Sequence, residues 1–176
     1  MTLVALSLGS NSDPEHHLIA GLNALQAKFG ALQISSVFES EPVGFTGTNF
    51  LNLAVVIATS DTLEELARYL KWLEDQHGRI RSEPRFSGRT LDIDILTFGD
   101  LCGIHAGIIL PREEVTENAH VLCPLAQLCG DWLHGPTGRT YAQLWEAYHK
   151  SRQPLWPVNF TWQGRQISTG VTPSRR

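Results

Sequence analysis

The chain has 176 residues, 42% of them hydrophobic and 18% charged, and a chain of that length buries roughly 70% of the surface it exposes when unfolded. That composition excludes disordered, collagen-like and coiled-coil classes, and no apolar run approaches the roughly 20 residues of a membrane helix. A formal net charge of −4 argues against a nucleic-acid or anionic-membrane surface. The N-terminus lacks a basic region and a small-residue cleavage pattern, and Cys102, Cys123 and Cys129 form no C-x-x-C pair. The expectation is a cytoplasmic protein with reduced thiols, and with nothing to suggest an interface helix, a monomer.

Leu3 to Leu8 is an apolar run stopped by Gly9-Ser10-Asn11, which predicts a buried strand and a turn. Asp13-Pro14-Glu15 reads as N-cap, first helical position and first-turn acid. Leu18, Leu22, Leu25 and Phe29 then give a helical stripe closed by Gly30. Leu32 to Glu39 and Leu51 to Thr59 read as strands, and the breaker-rich stretch between them, residues 41–49, reads as a functional loop. Thr62-Leu63-Glu64-Glu65 is a capping-box pattern opening an amphipathic helix through Leu63, Leu66, Leu70 and Leu73, which Gly78 can end. Thr90 to Phe98 is a further strand. The order βαββαβ predicts an α+β fold, a ferredoxin-like antiparallel sheet with helices on one face, plus a C-terminal helical and irregular extension. Residues 1–150 read as one domain and 151–176 as a tail that packs on it or frays from it.

Asp92 and Asp94 lie two apart on the last of these strands. Positions i and i+2 point to one face, so the carboxylates stand side by side, their residues about 6.6 Å apart along the strand. Hard oxygen ligands with room for water and phosphate oxygens suit Mg²⁺, and two such ions about 3.5–4 Å apart could share the pair. Alone, a D-x-D is better read as an amphipathic strand with its polar face in water. Arg79, Arg81, Arg85 and Arg89 precede it, however, and guanidinium forks match phosphate oxygens. Phosphate-binding cations beside metal-binding carboxylates are the equipment of phosphoryl transfer. Neither G-x-x-x-x-G-K-[ST] nor G-x-G-x-x-G occurs.

Gly9-Ser10-Asn11, Glu41-Pro42-Val43-Gly44, Phe50-Leu51-Asn52, Glu74 before Gly78-Arg79-Ile80-Arg81, and Arg85-Phe86-Ser87-Gly88-Arg89-Thr90-Leu91-Asp92-Ile93-Asp94 together resemble the 6-hydroxymethyl-7,8-dihydropterin pyrophosphokinases of folate biosynthesis. The resemblance runs in order over about residues 3–129. It implies transfer of the β,γ-pyrophosphoryl group of ATP to the pterin hydroxymethyl oxygen, with release of AMP. It further implies two Mg²⁺ on Asp92 and Asp94, with catalysis carried by these two and by Arg79 and Arg89. Glu74, Arg79, Arg81, Arg85, Arg89 and Arg112 would meet ATP, and Ser40, Pro42, Val43, Phe50, Asn52, Phe86 and His120 the pterin.

The third segment departs from that pattern. His120 stands where the family places a stacking aromatic, Asn118 where a cation is expected, and Arg112 where a neutral ring is usual. An imidazole covers less area and titrates near neutrality, which predicts weaker pterin binding or a step in its pH dependence near pH 6 to 7. A diverged paralogue that binds pterin or nucleotide with little turnover is the alternative.

Overall fold

A computed structural model describes residues 1–42, 44, 46–78 and 90–170. The elements run β1 (Thr2–Ser10), α1 (Pro14–Phe29), β2 (Gln33–Ile34), β3 (Val37–Ser40), β4 (Phe50–Thr59), α2 (Leu63–Gln76) and β5 (Asp92–Phe98). There follow the hairpin β6 (Gly103–His105) and β7 (Ile108–Leu110), then α3 (Glu114–Glu117) and α4 (Ala119–Cys129). The chain closes with β8 (Leu133–His134), β9 (Arg139–Thr140), α5 (Tyr141–Ala147), β10 (Leu155–Val158), β11 (Phe160–Trp162) and β12 (Arg165–Ser168).

Thr62 caps α2 as its sequence predicts. Its hydroxyl accepts from the Glu65 N–H while the Glu65 carboxylate accepts from the Thr62 N–H. Asp13, Pro14 and Glu15 open α1 as read, with Asp13 at the N-cap; its backbone is left-handed with φ of 46°, its side chain makes no capping bond, and its carbonyl accepts the His17 N–H. The strand expected over 32–39 is broken at Ser35-Ser36 into β2 and β3. At the break, Ser35 Oγ accepts the Ala54 N–H from β4 and keeps the two strands on one partner.

One antiparallel sheet in the order β10-β3-β4-β1-β5 carries the molecule, with β2 also on β4. Alternation along the strands gives two apolar faces. Val4, Leu6 and Leu8 of β1 join Val55, Ile57, Ile93 and Ile95 under Leu18, Leu22 and Leu25 of α1 and Leu66, Leu70 and Leu73 of α2. Ala5, Val56 and Leu96 face the other way, toward Val121, Leu122 and Leu125 of α4 and Tyr141 of α5. The two helices expected on one face lie there, and the helical part of the C-terminal extension covers the opposite face. Beyond it, β10 adds a strand beside β3, and the β11-β12 hairpin packs Phe160 and Trp162 into the first core. Among the described residues no helix is long and apolar enough to cross a membrane.

Candidate active site

Pairing across the sheet sets one row of side chains. Asp92 of β5 faces Gly9 of β1, Gly9 faces Asn52 of β4, and Asn52 faces Phe38 of β3. Directly paired residues project to the same side, here the side that α4 covers. Gly9 has no side chain to fill the gap between Asn52 and Asp92, and a Cβ placed there would lie 3.0 Å from Asn52 Nδ2. Asn52 is 4% exposed, and its Oδ1 has no hydrogen-bond partner. Buried amide oxygens are ordinarily bonded, so this one marks a place where a ligand donor fits.

β5 is an edge strand, and at its outer edge the buried Glu74 of α2 accepts the Ile93 N–H at 2.9 Å through Oε2. Glu74 thus holds the backbone between Asp92 and Asp94. Arg112 Nη2 donates to Asp94 Oδ1 at 3.1 Å, and Arg112 Nε lies 4.0 Å from Glu114 Oε2. Burial, reinforced by the neighbouring Asp92 charge and opposed by Arg112, pushes the Asp94 carboxyl up to about 7. Two carboxylates side by side on one face, partly buried, are a donor set that favours a hard cation. The residues present therefore fit Mg²⁺: Asp92 and Asp94 supply hard oxygens and leave room for phosphate oxygens and water. A cavity of about 240 Å³ opens here between Lys71 and Glu74 of α2 and Asp92, Asp94 and Arg112.

At the other end of the row, a second cavity of about 250 Å³ is lined by Ser40, Glu41, Pro42, His120, Arg152, Gln153 and Pro154. Ser40 pairs with Phe50, which projects to the same face as Asn52. His120 sits in the first turn of α4, where burial lowers its imidazole below the ordinary value against the opposing pull of Asp92 and Glu114. Pro124, one turn on, has no N–H to give the His120 carbonyl. The 41–49 stretch is tied to the β1-α1 turn, for Asn11 Nδ2 donates to the Thr48 carbonyl and Thr48 Oγ1 donates to that of Asn11.

Of the residues singled out from the sequence, Asp92, Asp94, Glu74 and Arg112 gather at one end, and Ser40, Pro42, Phe50, Asn52 and His120 at the other. Val43, Phe86, Arg79, Arg81, Arg85 and Arg89 lie outside the described residues. Asn118, which stands where the family places a cation, accepts a hydrogen bond from Gln153 through Oδ1. Gly9 enters the sequence reading only within the Gly9-Ser10-Asn11 motif, with no role of its own, and Gln153 not at all. The first was visible as a glycine ending a strand, whereas nothing local marks the second.

The model of the family 7,8-dihydro-6-hydroxymethylpterin-pyrophosphokinase matches residues 5–130. The chain belongs to this family. Similar proteins of this pyrophosphokinase family include one named 2-amino-4-hydroxy-6-hydroxymethyldihydropteridine pyrophosphokinase from Synechocystis sp., 30% identical over 156 residues, covering 87% of this chain and 78% of the relative. Its namesake from Bacillus subtilis is 37% identical over 128 residues, covering 70% of this chain and 76% of the relative. Among solved structures, a Plasmodium falciparum HPPK-DHPS triple mutant superposes with a TM-score of 0.73 over 95% of this chain at 14% identity, a likeness of fold alone. The chain spans about half the length of that protein, 46% of it.

Proposed function

We propose that the cleft between Asp92 and Asn52 is where this chain carries out the reaction of its family, transfer of pyrophosphate from ATP to the hydroxymethyl group of 6-hydroxymethyl-7,8-dihydropterin in folate synthesis. The observation that carries the assignment is the Asn52–Gly9–Asp92 row: a buried amide with an open acceptor at one end, a carboxylate pair at the other, and a glycine gap between them. We read the sheet that builds it as the ferredoxin-like arrangement, with α1 and α2 as its crossover helices, and residues 151–176 as a tail on a domain of residues 1–150.

In this reading the pterin lies at the Asn52 end. Its ring N–H and amino groups donate to Asn52 Oδ1, and Ser40, Pro42, Val43, Phe50, Phe86 and His120 surround the ring. A neutral imidazole at His120 stacks on it without adding charge to the pocket. ATP lies at the other end, with its triphosphate along Asp92 and Asp94 and beside Glu74, Arg79, Arg81, Arg85, Arg89 and Arg112. Two Mg²⁺ held by Asp92 and Asp94 would neutralise triphosphate charge, which is what phosphoryl transfer chiefly requires. Glu74 keeps the two carboxylates at fixed spacing through the Ile93 N–H. Arg112 shields Asp94, and on arrival of the nucleotide its guanidinium is released to phosphate oxygens. No side chain is assigned as general base, and the hydroxyl proton leaves to water or to a phosphate oxygen.

The test is AMP release from ATP and Mg²⁺ with and without the hydroxymethyl dihydropterin, beside an Asp94→Ala control. AMP formation that needs the pterin and disappears in Asp94→Ala is the expected result. No AMP from a folded wild-type sample would overturn it in favour of a paralogue that binds without turnover.

A further inference from the structure

The segment that follows α5 reaches the pterin end of the cleft. Gln153 Oε1 accepts the Ala119 N–H at 2.9 Å, and its Nε2 donates to Asn118 Oδ1 at 3.2 Å. Asn118 immediately precedes α4, and its own side chain makes no capping bond. The first N–H groups of a helix need an acceptor from outside the helix, and the cap residue ordinarily supplies it. Here the acceptor comes from 34 residues away along the chain. Two residues after Gln153 the backbone enters β10, whose Leu155 pairs with Ser40. One short stretch is therefore anchored to both walls of the 250 Å³ cavity, the α4 wall carrying His120 and the β3 wall carrying Ser40.

A second amide pair steadies the far part of the same helix. Gln127 Oε1 accepts the Ser36 N–H at 2.8 Å and its Nε2 donates to Ser36 Oγ at 2.9 Å. With Gln127 fixing α4 against the β2-β3 break and Val121 and Leu122 buried in the second core, Gln153 supplies the side-chain acceptor for the Ala119 N–H that opens the helix. Residues 152–154 all lie beyond the 5–130 span that the family model matches.

We propose that Gln153 is a positioning residue for the pterin site: by capping α4 at Ala119 and Asn118 it holds His120 against the Ser40–Pro42 wall, which makes the C-terminal segment part of the substrate pocket. The proposal rests on the reading that this end of the cleft takes the pterin. At the ATP end Asp92 and Asp94 are carried by β5 and braced by Glu74 through Ile93, and among the described residues Arg112 is joined to Asn118 only through the backbone of α3. Loss of the cap is therefore felt by one substrate and not by the other.

The experiment is steady-state AMP formation by the full chain, with KM for pterin and for ATP measured separately in wild type, Gln153→Met and Gln153→Glu. Methionine keeps the length and loses both bonds. Glutamate keeps the acceptor for Ala119, and Asn118 can turn its own amide to donate to it. The expected result is a roughly tenfold rise in pterin KM for Gln153→Met, with ATP KM within twofold of wild type, and recovery to within threefold in Gln153→Glu. Should Gln153→Met not fold, Asn118→Ala, which removes one of the two bonds, is expected to raise pterin KM about threefold with ATP KM unchanged. A pterin KM within twofold of wild type in whichever of these variants folds overturns the proposal and leaves the functional reading standing. Equal rises in both KM values mark a merely structural role and overturn it too. A folded wild type without pterin-dependent AMP overturns the functional reading, and the proposal with it.

Discussion

Glu74 Oε2 and the Ile93 N–H meet at 2.9 Å between the two aspartates of the cleft. A helix side chain thereby does for an edge strand what a neighbouring strand would otherwise do, and it does so at the residue that sets the spacing of Asp92 and Asp94. Removing it leaves a buried donor unpaired, at a cost of about 1–3 kcal/mol. We predict that Glu74→Ala lowers unfolding free energy by about 2 kcal/mol in urea titration and reduces kcat for AMP formation at least tenfold. Glu74→Gln, which keeps an acceptor, should recover most of the stability.

Asp94 gives the metal-free protein a pH dependence with a definite sign. Its carboxyl is raised to about 7 from the ordinary 3.8, so between roughly pH 4 and 7 the folded state holds a proton that the unfolded state has lost. Stability then falls as pH rises through that window. The side chain is 44% exposed, and solvent moderates the effect. With a chelator at pH 8, Asp94→Asn should melt a few degrees above wild type, and at pH 4 the two should coincide. Metal binding in the presence of a non-hydrolysable ATP analogue should strengthen from pH 6 to 8 and release close to one proton at pH 6.5, as calorimetry in buffers of different ionisation enthalpy would read.

Gly9→Ala tests the gap in the row. The added methyl would lie 3.0 Å from Asn52 Nδ2, so the amide must move. We expect pterin KM to rise five- to tenfold while ATP KM and thermal stability stay near wild type. An unchanged pterin KM would mean that Asn52 does not meet the ring.

His120 places the pH step of pterin affinity. Burial lowers the imidazole below its ordinary 6.5, against Asp92 and Glu114. The ring therefore stays neutral through pH 7, and the step expected near pH 6 to 7 moves to lower pH. Acidification below the ordinary imidazole range should weaken pterin binding in wild type and leave His120→Phe flat, as fluorescence titration from pH 5 to 8 would show. Folding stability should follow the same direction, because the unfolded state takes up the proton first.

The tail contributes to the fold through Trp162, buried against the first core with its indole N–H donating to Asn23 Oδ1 at 2.9 Å. We predict that Trp162→Ala costs about 3–5 kcal/mol and that Trp162→Phe, which loses the bond and keeps most of the area, costs less than half of that. Urea unfolding of the two variants decides it.

Patterning made much of the fold legible. The stripe of Leu18, Leu22 and Leu25 and the box of Thr62 and Glu65 act locally, and both elements formed where their residues predict them. Asp13, Pro14 and Glu15 took the N-cap, first and first-turn positions read for them, and only the capping bond from the Asp13 side chain, whose backbone is left-handed, is missing. The carboxylate pair was readable, since strand period alone puts Asp92 and Asp94 on one face. What escaped was long-range: the register that sets Gly9 between Asn52 and Asp92, the helical cover on the second face of the sheet, and the amide of Gln153, whose partners lie more than thirty residues away. None of these leaves a mark in a local window.

The two edges of the sheet end in different ways, and the difference bears on what the molecule avoids. At β5 the Ile93 donor is consumed by Glu74, so a foreign strand finds that position taken. At β10 the middle of the strand is Pro157, which has no N–H to offer, and Gly170 lies close against the Pro157–Asn159 backbone. An antiparallel sheet with open edges invites edge-to-edge stacking into larger aggregates. Here one border is guarded by a carboxylate and the other by an imino acid, so the strand that completes the sheet also ends its growth.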